Sequence, residues 1–331
     1  MSPVILEEVK GVGPKTAEQI ASCKADLVAG DERKKAEKDG VRLITLLSDD
    51  YPRNLRYSYR PPPVLYVAGT IKAEDILSVA VVGTRNCSPY GRIATERMVR
   101  PLVEKGFTIV SGFARGVDTI AHRISLEDGG RTIAILGSGI DIIYPPENRN
   151  IFEKITQNGA VVSQFAYGTE PDKRNFPMRN RIISSLSLGT IVIEAGEKSG
   201  ALITAYASLE EGREVFAVPG RIDSSISAGT NRLIQKGAKL VMTAEDVIEE
   251  FSPEIQNLMS LESEDKKGAA EDTSLEKDEK TILGYLEGCE RNIDYLIENT
   301  DLPAGVLLGT LLEMELKGLI RQLPGRLFIK L

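Results

Sequence analysis

Cations placed at the ends of short apolar runs are the residues of this chain best suited to chemistry. In SVAVVGTRNCSPYGR (78–92), four apolar residues lead into Gly83, Thr84 and Arg85, and then into a loop with Pro89 and Gly91. A buried parallel strand ends this way and passes its chain to a helix whose N-terminal amides can hold an anion. Arg85 adds a charge there. Arg115 has the same kind of place in SGFARGVDTIAH (111–122). Similar loops of Gly, Ser, Thr or Pro leading into helix starts follow in SQFAYGTEPDKRNFPMRNR (163–181) and EAGEKSGALITA (194–205), and together they could make one rim of backbone donors and positive side chains. Recognition of one nucleic-acid strand needs cations spaced along phosphates, amides for close contacts and flat side chains for exposed bases. Gly83, Gly112, Gly116 and Gly137 would let backbone approach such a ligand, and Phe176 or Tyr144 would offer a stacking surface. Arg85 stands where a dinucleotide fingerprint has its second glycine, so no G-x-G-x-x-G follows the strand.

Acid–base chemistry has fewer candidates. His122, the only histidine, falls four residues after Asp118 on a predicted helix, so the two can share a face. A proton-transfer pair or a hydrogen-bonded structural histidine both fit, and the structural reading is favoured. Glu194 ends an apolar run without a second carboxylate or a histidine beside it, which favours a partner for an arginine over a catalytic acid. Arg115 could itself pair with Asp118 or Asp141. Cys87 lies near a helix start, where a thiolate would be stabilised, although an unreactive thiol is favoured.

These groups need a scaffold. Predicted strands at 79–82, 108–110, 132–136, 160–162, 190–193, 214–217 and 239–242 alternate with helices near 93–104, 117–127, 147–156, 178–187, 202–211, 230–235 and 245–251. That alternation implies right-handed βαβ units and a mostly parallel sheet covered on both faces, with any ligand beyond the carboxyl ends of the strands.

Flanking segments differ in character. LEEVKGVGPKTAEQIA (6–21) predicts two short helices around a glycine turn, similar to a helix-hairpin-helix whose turn amides contact a DNA phosphate. A purely structural helical module fits equally well, and a charged helix follows at 27–40. Residues 41–69 read as a bridge of extended pieces, with Pro61, Pro62 and Pro63 excluding helix and Tyr51, Tyr57, Tyr59 and Tyr66 placed to pack on the next domain or to stack bases. Residues 252–277 have the composition of an acidic linker. Residues 278–331 suggest three helices and a hairpin turning near Pro324 and Gly325, the layout of a winged helix. Its presumed recognition helix, 305–317, carries Glu313 and Glu315 against Lys317, which favours a protein contact over DNA.

The net charge of −7 is unevenly spread: 245–279 hold 13 acidic and 3 basic residues, whereas 1–244 hold 32 basic and 28 acidic. Basic patches on the main domain are therefore compatible with an acidic chain. Cys23, Cys87 and Cys289 lie too far apart for a disulfide framework or a zinc site. No run approaches the roughly 20 apolar residues of a membrane span, and the first residues lack a signal peptide, so a cytoplasmic protein with no membrane association is expected.

GTRNCSPYG, SGFARGVDTIAH, LGSGIDIIYPPENRNIF, RNFPMRNRIIS, SGALITA, FAVPG and GTNRLIQKGA, in that order, resemble the signature of the DNA processing protein A family, also called Smf. The resemblance is strong over 70–242. It implies an α/β fold: an extended Rossmann-like, mostly parallel sheet at 70–251, a small helical (helix-hairpin-helix or sterile-alpha-motif-like) module with its bridge at 1–69, an acidic linker at 252–277 and a winged helix at 278–331. It also implies sequence-independent binding of single-stranded DNA, self-association and help in loading the RecA recombinase during natural transformation, without catalysis, metal or cofactor. The family's basic pocket carries over onto Arg85, Arg115, Lys173, Arg174, Arg179 and Arg181, with Lys198 nearby. A surface at 240–251 could carry a homodimer or could cap the sheet. Two other readings remain open: a Rossmann-like hydrolase of nucleoside monophosphates, whose Pro-Gly-Gly-x-Gly-Thr-x-x-Glu loop EAGEKSGALITA does not resemble, and a small-nucleotide sensor.

Overall fold

The computed structural model describes residues 3–9, 11–22, 25–251, 277–286, 291–300, 302–316, 319–323 and 327–330. They fall into two units, residues 1–263 and 264–331. Unit one begins with helices α1 (Pro3–Glu7), α2 (Pro14–Ser22) and α3 (Ala25–Lys38), the first two flanking a turn in which Gly11 has φ +96°. Strand β1 (Arg42–Thr45), the single-turn helix α4 (Arg53–Arg56) and strand β2 (Val64–Gly69) follow.

The βαβ succession then runs β3 (Ser78–Val82), α5 (Pro89–Glu104), β4 (Thr108–Ser111), α6 (Val117–Glu127), β5 (Thr132–Ile135), α7 (Arg149–Gln157), β6 (Gly159–Ser163), α8 (Asn175–Leu186), β7 (Gly189–Val192), α9 (Gly200–Glu210), β8 (Glu214–Ala217), α10 (Ala228–Gln235), β9 (Lys239–Leu240) and α11 (Ala244–Ile248). All seven strands expected between 79 and 242 are present, each within a few residues of its predicted limits. Local chemistry starts the helices: Ser88 and Ser199 cap α5 and α9, and Thr243 forms a capping box with Asp246 at α11. Helix α8 begins three residues ahead of its expected start, because Pro177 is tolerated in a first turn.

One nine-stranded sheet has the order β1-β2-β6-β5-β4-β3-β7-β8-β9. The seven strands from β6 to β9 are parallel, and β2 is antiparallel to both of its neighbours. Here the structure corrects the expected bridge. Its two extended pieces are the outermost strand, β1, and its neighbour β2 in the main sheet, with Tyr66 paired to Ser163, so the sheet continues across residue 70. Tyr51 and Tyr66 are buried and donate to the Pro62 carbonyl and the Glu32 carboxylate, both at 2.8 Å, whereas Tyr57 and Tyr59 are exposed.

Side chains alternate even where strands are buried on both faces. Val79 and Val81 of β3 enter a layer with Met98, Leu102, Phe107 and Phe216, while Ala80 and Val82 enter the opposite layer with Ile133, Ile183 and Val215. The segment 240–251 mainly caps the first layer: Val241, Val247 and Phe251 are buried, and Leu240 and Met242 are exposed.

The second unit comprises α12 (Lys277–Tyr285), β10 (Arg291–Asn292), α13 (Ile293–Asn299), α14 (Ala304–Leu316), β11 (Ile320–Leu323) and β12 (Leu327–Lys330). Its three-stranded antiparallel sheet, β10-β12-β11, and Ile282, Leu296, Leu311 and Phe328 build a separate core. Of the expected linker at 252–277, residues 252–276 lie outside the described residues, as do Lys317 and the turn at Pro324 and Gly325, and Lys277 already begins α12. No helix among the described residues is long and apolar enough to cross a membrane.

Candidate nucleic-acid interface

The loops leaving β3, β4 and β5, together with the start of α8, converge at the carboxyl end of the sheet. Gly116, with φ +75°, lets the β4 loop seat directly on the β3 loop: a Cβ there would meet the Thr84 carbonyl oxygen at 2.2 Å. The Val117 amide donates to that same oxygen at 3.2 Å, and the Thr84 amide donates to the Glu194 carbonyl at 2.7 Å. These bonds fix Arg85 and Arg115 as neighbours on an exposed rim.

At the four glycines expected to let backbone approach a ligand, the place of a Cβ is taken by the protein itself. The space above Gly83 is filled by Val117, above Gly112 by Arg179 and Asp118, above Gly116 by the β3 loop and above Gly137 by Phe176. Only at Gly116 is that space filled by loop backbone; at the other three it is filled mainly by side chains.

Arg85 holds its guanidinium 5.2 Å from the centre of the Phe176 ring, and Arg179 lies 5.8 Å from the same ring. The two arginines differ in kind. Arg179 is only 4% exposed, and its Nη1 donates to the Gly112 carbonyl and, at 2.7 Å, to the Ile135 carbonyl. Expected as a phosphate contact, it is instead a buried post that ties the ends of β4 and β5 to α8. Burial lowers its pKa to about 10, partly offset by Asp118. Asp118 is buried too, accepts from the Ala114 amide at 3.3 Å, and is pushed up to about 6 by burial against the pull of Arg179 and Arg85.

Beside the Arg85–Phe176 pair lies a groove of about 330 Å³, lined among others by Lys173, Asn180, Ser199 and Gly200 at the start of α9. Across Arg85 is a second groove of about 400 Å³, where Arg92, Arg115 and Arg123 meet Asn86 and Glu147. Arg115 pairs with Glu147, rather than with Asp118 or Asp141. Arg92 and Arg123 are exposed and have no ion-pair partner within 4 Å among the described residues. The sequence reading missed both, although Arg92 ends the very stretch that carries Arg85. Helix packing supplies the missing signal, since α5 and α6 lie side by side. Of the other expected cations, Lys173 lines the first groove, whereas Arg174 pairs with Asp172, Arg181 faces Glu210 at 3.4 Å and Lys198 is exposed; none of these last three lines either groove.

The acid–base candidates are structurally engaged. His122 is fully buried and its Nδ1 lies 2.7 Å from the Thr132 hydroxyl. That hydroxyl donates to the Ile109 carbonyl, so it accepts from Nδ1–H, which leaves Nε2 without a proton or a partner. Burial, with Arg179 adding to it, drops the imidazole pKa to about 3. His122 is therefore a neutral structural residue, as the favoured reading expected, and does not bond Asp118. Glu194 is also buried, but its partner is Ser88, through both amide and hydroxyl, instead of an arginine. Burial and the nearby Glu194 push the Cys87 thiol up to about 11, which disfavours a thiolate.

The chain matches a family model described as DNA recombination-mediator protein A over residues 42–252 and one described as DprA winged helix domain over 266–326. It is 34% identical to Protein Smf of Synechocystis over 352 residues, covering 98% of this chain and 88% of that one. It is 42% identical to DNA processing protein DprA of Bacillus subtilis over 218 residues, covering 65% and 72%. The X-ray structure of DprA from Streptococcus pneumoniae superposes with a TM-score of 0.69 at 37% identity, over 76% of this chain and 87% of that one. A Helicobacter pylori DprA structure, described for its single-stranded DNA binding mode, superposes with a TM-score of 0.56 at 32% identity, over 68% and 97%. With its parallel sheet, its winged-helix unit and matches that span most of its length, the chain belongs to the DNA processing protein A (Smf) family.

Proposed function

We propose that this protein binds single-stranded DNA without sequence preference along the two grooves that meet at Arg85, and acts there as a recombination mediator. The observation that carries the reading is Arg85 stacked on Phe176 between the two grooves. A guanidinium at a phosphate and an aromatic face beside it suit one strand of nucleic acid. Lys173 supplies a cation on one side, and Arg92, Arg115 and Arg123 supply cations on the other. Contacts to phosphate and to the faces of bases read no sequence.

The reading is non-catalytic and needs no cofactor. Asp118, His122 and Glu194 are each held by hydrogen bonds within the fold. The family description supports a mediator role; within it, help in loading RecA, a homodimer and a cytoplasmic location belong to the proposal. Fluorescence anisotropy with labelled oligonucleotides of different sequence, at several salt concentrations, tests it. Affinity should fall steeply with salt, vary little with sequence and be lost in an Arg85→Glu, Lys173→Glu variant. Salt-independent binding, or an unchanged double variant, would overturn the reading.

A further inference from the structure

Doubly wound sheets bind phosphates where the strand order reverses, at the N-terminus of the helix that follows the first strand. In this sheet the reversal falls between β3 and β7, and the helix is α5, 16 residues long. Its first turn is already occupied. The Ser88 amide donates to Glu194 Oε2 at 3.0 Å, and the Ser88 hydroxyl donates to Oε1 while accepting from the Gly91 amide at 3.0 Å. A Cβ on Gly91 would come within 2.1 Å of Oε2, so glycine at that position is what lets the carboxylate sit down onto the helix end. Glu194 is 2% exposed and is held on its β7 side by the main-chain bond from Thr84. Next to this carboxylate opens a cavity of about 580 Å³, lined by Pro89, Tyr90, Pro219, Ile226 and Ser227.

We infer that Glu194 is a built-in anion that fills the phosphate seat at the strand-order reversal and so bars phosphorylated small molecules from the adjoining cavity. A phosphate entering there would have to displace a carboxylate that satisfies the same donors, and would meet its charge at contact distance. The inference stands apart from the DNA-binding reading, because it concerns which ligands a different cavity refuses.

The test is anion rescue in the full-length chain. Glu194→Ala empties the seat, whereas Glu194→Gln keeps it filled without the charge. Thermal unfolding is followed in inorganic phosphate and in chloride at matched ionic strength. Phosphate at ten times its dissociation constant should raise the Tm of Glu194→Ala by about 3 °C or more beyond its effect on wild type. Glu194→Gln should respond as wild type does, because its amide group still fills the seat. If Glu194→Ala is recovered only unfolded, its refolding yield in phosphate against chloride reads the same seat. A Glu194→Ala response no larger than that of wild type, or an equal response in Glu194→Gln, overturns the inference.

Discussion

The Arg85 guanidinium sits 5.2 Å from the Phe176 ring centre and joins the loop after β3 to the first turn of α8, across 91 positions of the chain. The pair separates two contributions to binding. Removing the Phe176 ring with Phe176→Leu should cost about 1–3 kcal/mol of oligonucleotide affinity, if one base stacks there, and leave the salt dependence unchanged. Removing the charge with Arg85→Ala should instead flatten the plot of log affinity against log salt by about 0.7. Anisotropy titrations over a salt series read both, and a Phe176→Leu variant with wild-type affinity would exclude stacking at this position.

Arg179 should behave as a structural residue. Arg179→Met leaves the Gly112 and Ile135 carbonyls without their Arg179 donor and Asp118 without the stronger of the two positive charges that act on it, so stability should fall by about 3 kcal/mol or more. Urea unfolding measures this. A variant of unchanged stability that has lost DNA binding would make Arg179 a ligand contact after all.

Gly116 controls how closely Arg85 and Arg115 approach. Gly116→Ala puts a Cβ 2.2 Å from the Thr84 oxygen at a left-handed φ, and should cost at least about 2 kcal/mol. The two loops must then part, so oligonucleotide affinity should fall even in the fraction that remains folded. Wild-type affinity in that fraction would show that the loop spacing is unimportant for binding.

Two buried groups act oppositely on acid stability. Between about pH 6.5 and pH 3 the unfolded chain protonates His122 while the native state does not, so this group removes stability as pH falls. Asp118 is raised to about 6 from its ordinary 3.8, so over that window the native state takes up a proton that the unfolded chain lacks, and stability is gained as pH falls. Asp118→Asn removes the opposing contribution and should steepen acid destabilisation by up to about 1.4 kcal/mol per pH unit between pH 6 and pH 4. Urea midpoints at pH 4.5 and pH 7 that shift equally in wild type and variant would rule out the compensation.

Much of the fold was legible because its signals are local. Most of the parallel strands are short apolar runs closed by a loop with glycine, Ser88 and Ser199 mark helix starts by hydrogen bonds within one turn, and Pro89 marks one by its position at the start of α5. The pairing of 64–69 with 159–163 was not legible, because strand partners about a hundred residues apart leave no local trace and the prolines between β1 and β2 read as a linker.

From sequence alone came the alternation of strand and helix, the placing of cations at strand ends and the family resemblance, all carried by residue type and spacing along the chain. Only the tertiary structure decided what each charge does. Arg85 and Arg179 look alike in the sequence, yet packing exposes one beside an aromatic face and buries the other against two carbonyls. The role of an ionisable group depends on its solvation and its neighbours, and these are set by contacts between distant segments. For the same reason Arg92 and Arg123, which stand 31 positions apart, emerged as one surface only when α5 and α6 came together.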